Sequence, residues 1–141
     1  MTRTVLEVAE AMIPLVKANL ERDGLLKPVV FVLGRGDHLS VFSLEFTSAA
    51  AKDACFAVVR QRASTAQGVV AVMDAWITDV DADRPVGRRE AVMVELADNT
   101  GLRECWTLPY SRPAPGRIAW GQRVRTTDFS SRLLDPLYPD A

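Results

Sequence analysis

The sequence predicts an α+β fold in which two helices pack on one face of an antiparallel sheet of about five strands. Three observations predict it. The elements follow the order α-β-β-α-β-β-β, both helices come early, and the strands are mostly joined by short turns that suit hairpins. Only residues 46–69 are long enough for the helical crossover that parallel strands need. We therefore expect one domain over residues 1–141, built on an antiparallel sheet.

The first helix is predicted between Thr4 and Gly24. Thr4 followed by Glu7 is a capping box, and Asp23-Gly24 is a typical helix end. Pro14 falls on the polar side, so we expect it to kink the helix without ending it. The apolar residues that recur at helical spacing are Val5, Ala9, Met12, Val16 and Leu20.

A hairpin and a second helix follow. Residues 29–33 and 39–46 are rich in β-forming residues, and the glycines of residues 34–37 supply the positive φ angles of a hairpin turn. Thr47 or Ser48 can cap the second helix. The predicted buried stripe of this helix is Cys55, Phe56, Val59, Ala63 and Ala66.

Residues 69–110 read as three consecutive strands whose two faces are both rich in apolar or aromatic side chains. We place a loop at residues 81–88 and a tight turn at residues 98–101. In the first of these strands the side chains alternate between Val69, Ala71, Met73, Ala75 and Ile77 on one face and Val70, Val72, Asp74, Trp76 and Thr78 on the other. Because the two helices would cover one face only, we expect the C-terminal segment or a second chain to cover the other.

The C-terminal segment, residues 111–141, is too apolar to be a free linker. It contains a possible short strand at residues 117–120, and its tail carries Phe129, Leu133, Leu134, Leu137 and Tyr138. We expect this segment to pack on the domain or in an interface. The predicted core includes Val5, Met12, Val16, Cys55, Phe56, Val59, Val92, Val94 and Leu96, which lie on the apolar phase of their elements.

Composition and charge exclude several classes of protein. Apolar residues make up 48% of the chain and charged residues 25%, and the net charge of −1 gives no field that would concentrate nucleic acid or anionic membrane. Glu7 and Glu10 interrupt any apolar run that could form a signal peptide, and no window reaches the roughly 18 apolar residues of a membrane span. We therefore expect a cytoplasmic protein that binds neither membrane nor nucleic acid.

Few residues suit metal or nucleophilic chemistry. His38 is the only histidine, which excludes any site within one chain that needs two. Cys55 falls on an apolar stripe and Cys105 in mid-strand, so we expect two free, inert thiols, and a Cys-His nucleophile pair stays open as the alternative. The glycine-rich residues 34–38 precede a strand rather than a helix, so they lack the helix N-terminus of a phosphate loop. No cofactor is expected.

Three acids fall inside predicted strands, where charges are uncommon: Asp74, Glu95 and Glu104. Asp74 and Glu104 share their alternation class with Trp76 and Trp106 of their own strands. An acid beside an aromatic ring in a cleft can have a raised pKa and act as a general acid or base. The alternative, which we favour, is that these acids mark the solvent edges of the sheet and pair with arginines.

Four aromatic residues are candidate binding residues: Trp76, Trp106, Tyr110 and Trp120. Arginines lie near them in the sequence, and aromatic residues with arginine are typical anchors of protein interfaces and stacking platforms for bases. For each ring taken alone, burial in the core is a stronger expectation than a role in binding. The neutral net charge, and the lack of an RNA-recognition or OB-fold motif, argue against single-stranded nucleic acid.

Residues 69–110 also carry a resemblance. Asp74-Ala75-Trp76, a charged loop and then residues 88–94 (Arg-Arg-Glu-Ala-Val-Met-Val) resemble a pattern in a group of small hypothetical bacterial proteins. In that group, one strand ends in an acidic or small residue followed by Ala and Trp. The next strand begins with Arg-Glu, and a third strand forms a hairpin with it. The resemblance implies a bacterial or phage origin and a compact α+β domain. It implies no activity and no catalytic residues.

These observations favour a non-enzymatic domain that binds a protein partner, most of all itself. The observation that supports this interpretation is the sheet with two apolar faces. The alternative is a small enzyme or ligand-binding protein with a pocket on the second sheet face, in which Asp74 and Glu104 are the polar groups and Trp76 and Trp106 the walls. A cavity lined by acids would favour the pocket, and a flat apolar surface would favour association.

Overall fold

The computed structural model describes residues 3–44 and 47–138. The helices are α1 (Val5–Asp23) and α2 (Ala49–Ala63), and a short 3-10 turn covers Arg35–Asp37. The strands are β1 (Val29–Leu33), β2 (Leu39–Ser43), β3 (Gly68–Asp81), β4 (Arg84–Asp98), β5 (Arg103–Ala114), β6 (Arg117–Trp120) and β7 (Val124–Thr126). The predicted α+β class is confirmed. The predicted end of the second strand, Glu45 and Phe46, lies outside the described residues.

All strand pairs are antiparallel, in the order β2-β1-β3-β4-β5-β6, with β7 also paired to β5. The described sheet therefore has seven strands rather than about five. The short pairing at residues 117–120 was foreseen only as a possible strand. β7 was missed because three residues are too few for a visible alternation. These two strands share β5, since β6 pairs with its C-terminal part and β7 with Cys105 to Thr107.

Both helices begin where their sequence signals lie, and α1 also ends at its signal, whereas α2 ends at Ala63, before Ala66 of its predicted stripe. The Thr4 hydroxyl accepts a hydrogen bond from the Glu7 backbone N–H, and Ser48 does the same for Ala51. Gly24 ends α1 in the left-handed conformation, with its N–H donating to the Leu20 carbonyl. Local capping chemistry was therefore sufficient to predict both starts and the end of α1.

The prediction that both helices pack on one face of the sheet is wrong. α1 packs on the face that carries Val70 and Val72, whereas α2 packs on the face that carries Val69 and Ala71. The reason is the one that the alternation of β3 already indicated: both faces of the sheet are apolar, and one helix on each face covers more of that surface than two on the same face.

The C-terminal tail completes the cover beside α2. Leu133, Leu134 and Leu137 are buried in the same cluster as the α2 residues, so the tail packs on its own chain. Polar contacts hold it there: the Ser131 hydroxyl donates to Glu95 at 2.9 Å, and Arg103 forms an ion pair with Asp135. Of the nine predicted core residues, seven are buried, while Met12 and Cys55 are partly buried at the margins of the two clusters.

Candidate functional site

The β3–β4 hairpin continues past the last residue that pairs with either neighbouring strand. β1 pairs with β3 only as far as Val72, and β5 pairs with β4 only as far as Glu90, which lies opposite Trp76. Beyond that row the two strands continue as an isolated two-stranded ribbon. We call residues 76–90 the arm.

The arm replaces the loop predicted at residues 81–88. The strands run on to a two-residue turn, in which Ala82 and Asp83 have positive φ angles of 49° and 63°. The register shifts between Asp79 and Val80, which leaves Val86 as an extra residue on β4. The prediction failed because Pro85 and Gly87 read as loop residues, whereas this bulge accommodates them in a strand.

Apolar side chains on the arm are open to solvent. The exposed fractions are 59% for Trp76, 60% for Val80 and 63% for Val86. The Arg88 guanidinium lies over the Trp76 ring, 4.9 Å from its centroid, and Arg89 pairs with Asp79 at 3.2 Å. The arm thus presents a tryptophan and an arginine together on a surface that no other described element covers.

Charge on the arm is divided between its strands. The β3 strand and the turn contribute acids, and the β4 strand contributes arginines. The acids of β3 and the turn are Asp79, Asp81 and Asp83. The arginines of β4 are Arg84, Arg88 and Arg89, and one further acid, Glu90, lies on β4 at the base of the arm. One edge of the arm is therefore acidic and the other basic.

Three of the predicted binding residues lie in one row across the sheet. Trp76 is opposite Glu90, Glu90 is opposite Tyr110, and Tyr110 is opposite Trp120. The rings of Tyr110 and Trp120 are 5.2 Å apart between centroids. Asp74 joins this row from one side, because the Tyr110 hydroxyl donates to its carboxylate at 2.7 Å.

α1 closes over one end of this row and leaves the other open. The Trp120 indole N–H donates to Glu21 of α1 at 2.9 Å, and Lys17 lies over the same ring at 5.1 Å. Tyr110 is buried, whereas Trp76 at the far end is not. On the face that α1 covers, the Trp76 end is therefore the more open end of the row.

Burial controls the protonation of the acid in this row. Desolvation raises the pKa of Asp74, and the hydrogen bond from Tyr110 partly opposes that rise. Burial also raises the pKa of Tyr110, and the neighbouring Asp74 carboxylate adds to the effect. The phenol therefore stays a hydrogen-bond donor at neutral pH.

Trp106 and Glu104 form a separate cluster. Trp106 is completely buried, and its indole N–H donates to Glu104 at 3.2 Å. Arg125 of β7 also binds Glu104, at 2.7 Å, and the guanidinium groups of Arg123 and Arg125 lie over the Trp106 ring. Trp106 is thus a core residue whose ring is covered by two arginine side chains.

Asp74 and Glu104 do not share a cavity. Asp74 lies opposite Val92 and Glu104 opposite Leu96, so they are four residues apart along β4, roughly 13 Å, and two strands apart across the sheet. Each has its own partners, Tyr110 for Asp74 and Arg125 for Glu104.

A second open surface lies on the α2 side, beyond the reach of α2 and the tail. It is a shallow, largely apolar depression of about 540 Å3 whose lining includes Pro109, Trp120, Val124 and Arg89 and contains no acid. Sequence reasoning missed this surface because its residues lie on four different strands, β4 to β7.

The described residues offer little for metal or nucleophilic chemistry. Within them no group of three His, Cys, Asp or Glu side chains could hold a metal ion. Within the described residues, neither Cys55 nor Cys105 forms a disulfide. Burial, with a contribution from Glu95, raises the pKa of Cys105 to about 11, so this thiol is a poor nucleophile at neutral pH.

No family model matches this chain. No curated protein and no solved structure matches it either. The resemblance carried by residues 69–110 therefore stays a prediction. Across residues 3–44 and 47–138, no helix is both long and apolar enough to cross a bilayer.

Proposed function

We propose that this protein is a non-enzymatic domain that binds a protein partner through its arm. The observation that carries the proposal is the free-standing ribbon with Trp76, Val80 and Val86 exposed along it. An isolated two-stranded hairpin is only marginally stable in water. A partner that covers the arm would bury its apolar side chains and so stabilise the hairpin.

The chemistry of the arm suits a protein surface. Trp76 with Arg88 over its ring combines the two residue types that most often dominate binding energy in protein interfaces. Val80 and Val86 supply apolar contacts around them. The flanking aspartates and arginines would form the polar rim of such an interface.

The pocket alternative has less support. It needs Asp74 and Glu104 at one cavity, and they lie in separate clusters with separate partners. The depression on the α2 side is shallow and has no acid in its lining. We also propose that the protein works in the cytoplasm, because two cysteines outside any disulfide suit a reducing compartment.

A photo-crosslinking amino acid placed at Val86 tests the proposal in living cells that produce the protein. We expect a covalent adduct of defined mass, lost when Trp76→Ala is added. The matched control is the same amino acid at Leu15, which is 57% exposed but lies on α1 away from the arm. The proposal fails if Val86 gives no protein adduct, or if the adducts at Val86 and Leu15 are the same.

A further inference from the structure

β2 forms one edge of the sheet, at a distance from the arm. It is the outermost strand on its side of the described sheet and pairs only with β1, which separates it from the arm strands. We infer that β2 pairs antiparallel with β2 of a second copy of this chain, about a two-fold axis at Val41. The two sheets then join into one continuous sheet.

The register between β1 and β2 determines which backbone groups point outward. The Leu44 N–H donates to the Pro28 carbonyl, so these two residues form a hydrogen-bonded pair. In an antiparallel ladder such pairs alternate with pairs whose N–H and C=O groups point away from each other. The residues of β2 that turn both groups outward are therefore Leu39, Val41 and Ser43.

β2 lacks the features that usually protect an edge strand, which are charged side chains, prolines and bulges. Its sequence, Leu-Ser-Val-Phe-Ser, has no charge and no proline, and its register with β1 is unbroken. By contrast, β6 carries Arg117 and β7 carries Arg125. Val41, at the centre of the outer edge, has 56% of its side chain exposed. This edge is therefore open to pairing with another strand.

The helices leave room for a second sheet beside β2. α1 packs mainly on β3 and β4, and α2 packs mainly on β1. A two-fold axis perpendicular to the sheet keeps α1 of both copies on one face and α2 of both copies on the other. The helices therefore lie on either side of the junction between the two β2 strands and do not meet in it.

The edge is complementary to itself. Rotation about Val41 sets Val41 opposite Val41 of the second copy, and sets Leu39 opposite Ser43 in both directions. Each residue that turns its N–H and C=O outward then meets one that does the same, so these groups can bond across the junction. The 3-10 turn at Arg35–Asp37 ends the strand, so the pairing stops at Leu39 and contains no charged side chain.

Preorganisation favours a second copy over a flexible peptide as the added strand. A flexible peptide must lose conformational entropy to become extended, which weakens its binding. β2 of a second copy is already held extended by β1. One symmetric contact also covers the unpaired edge of both copies at once.

Charges placed at the axis test this pairing in purified protein. Sedimentation velocity over a dilution series should show a wild-type dimer. Val41→Lys and Val41→Asp should each weaken it about tenfold or more, because like charges then lie directly opposite each other. Mixing these two variants in equal amounts should restore the dimer. Val124→Lys is the matched control, since Val124 is similarly exposed, at 52%, but lies on β7.

Weakening by both Val41 variants, recovery on mixing and an unchanged dimer in Val124→Lys support the inference, and the recovery shows that both variants fold. A wild-type protein that is monomeric at every micromolar concentration overturns it. A dimer that the Val41 variants do not weaken, or that mixing does not restore, overturns it too. Crosslinking from Val86 reports on the arm alone: an adduct formed in Val41→Lys leaves the proposed function standing if β2 does not pair, and its absence removes that function without affecting the β2 dimer.

Discussion

The Tyr110 hydroxyl on β5 donates a 2.7 Å hydrogen bond to the Asp74 carboxylate on β3, reaching across β4. This bond ties the base of the arm to the part of the sheet that α1 covers. Because both groups are at least partly desolvated, each depends on the other for its hydrogen bond.

Asp74→Asn should stabilise the protein at neutral pH, because the amide oxygen still accepts from Tyr110 and no charge is desolvated. The raised pKa of Asp74 fixes the sign of the pH dependence. The contribution of Asp74 to the free energy of unfolding is most favourable below the ordinary aspartate pKa. It is lost as the pH rises through the raised pKa that Asp74 has in the folded protein. Urea unfolding from pH 3 to pH 7 checks this, and a difference between variant and wild type that does not grow with pH would contradict it.

Gly68→Ala should destabilise the fold by several kcal/mol, because a Cβ there would lie 2.2 Å from Val5 Cγ2 and 2.7 Å from the Ala97 carbonyl oxygen. Gly87→Ala is the matched control, since nothing lies within 4 Å of the corresponding Cβ in the arm. Thermal unfolding of both variants measures the difference. Equal midpoints would show that α1 does not approach β3 this closely.

Ser131→Ala should loosen the tail, with a loss of about 1–3 kcal/mol. It removes the hydrogen bond to Glu95 and leaves the buried Leu134 N–H without its acceptor. Ser130→Ala changes an exposed neighbour and serves as the control. A protease should then cleave the tail faster in Ser131→Ala than in Ser130→Ala. Equal cleavage rates of the two variants would show that the Ser131 hydrogen bonds do not hold the tail in place.

Cys105 should react slowly with alkylating reagents at neutral pH. It is buried, and its pKa is raised to about 11, so little thiolate forms. Mass spectrometry of the native protein, compared with protein unfolded in guanidinium, measures this protection. Rapid labelling of native Cys105 would return it to the list of candidate nucleophiles.

Features encoded locally could be predicted from the sequence. The caps at Thr4 and Ser48, and the division of β3 into two apolar faces, depend on neighbours within a few residues. The side on which each helix packs depends on tertiary packing, and that prediction failed.

In the candidate site, too, the local alternation of side chains could be predicted and their burial could not. Trp76 and Trp106 have the same alternation and lie on the same face of the sheet, yet one is exposed and the other completely buried. The difference arises because β3 extends beyond the cover that α1 provides, whereas Trp106 lies beneath it. Strand register decides this, and single-sequence periodicity does not contain it.

The central claim is that the arm is a docking surface, and the partner expected from the sequence is a second copy of this chain. Hydrogen exchange at two protein concentrations tests this most directly. After about a hundredfold dilution, mass action should separate the copies and speed exchange in peptides that cover residues 76–90. Peptides that cover residues 91–97, whose strand is paired on both sides, should not change. Exchange in the arm that is fast and the same at both concentrations would contradict the account.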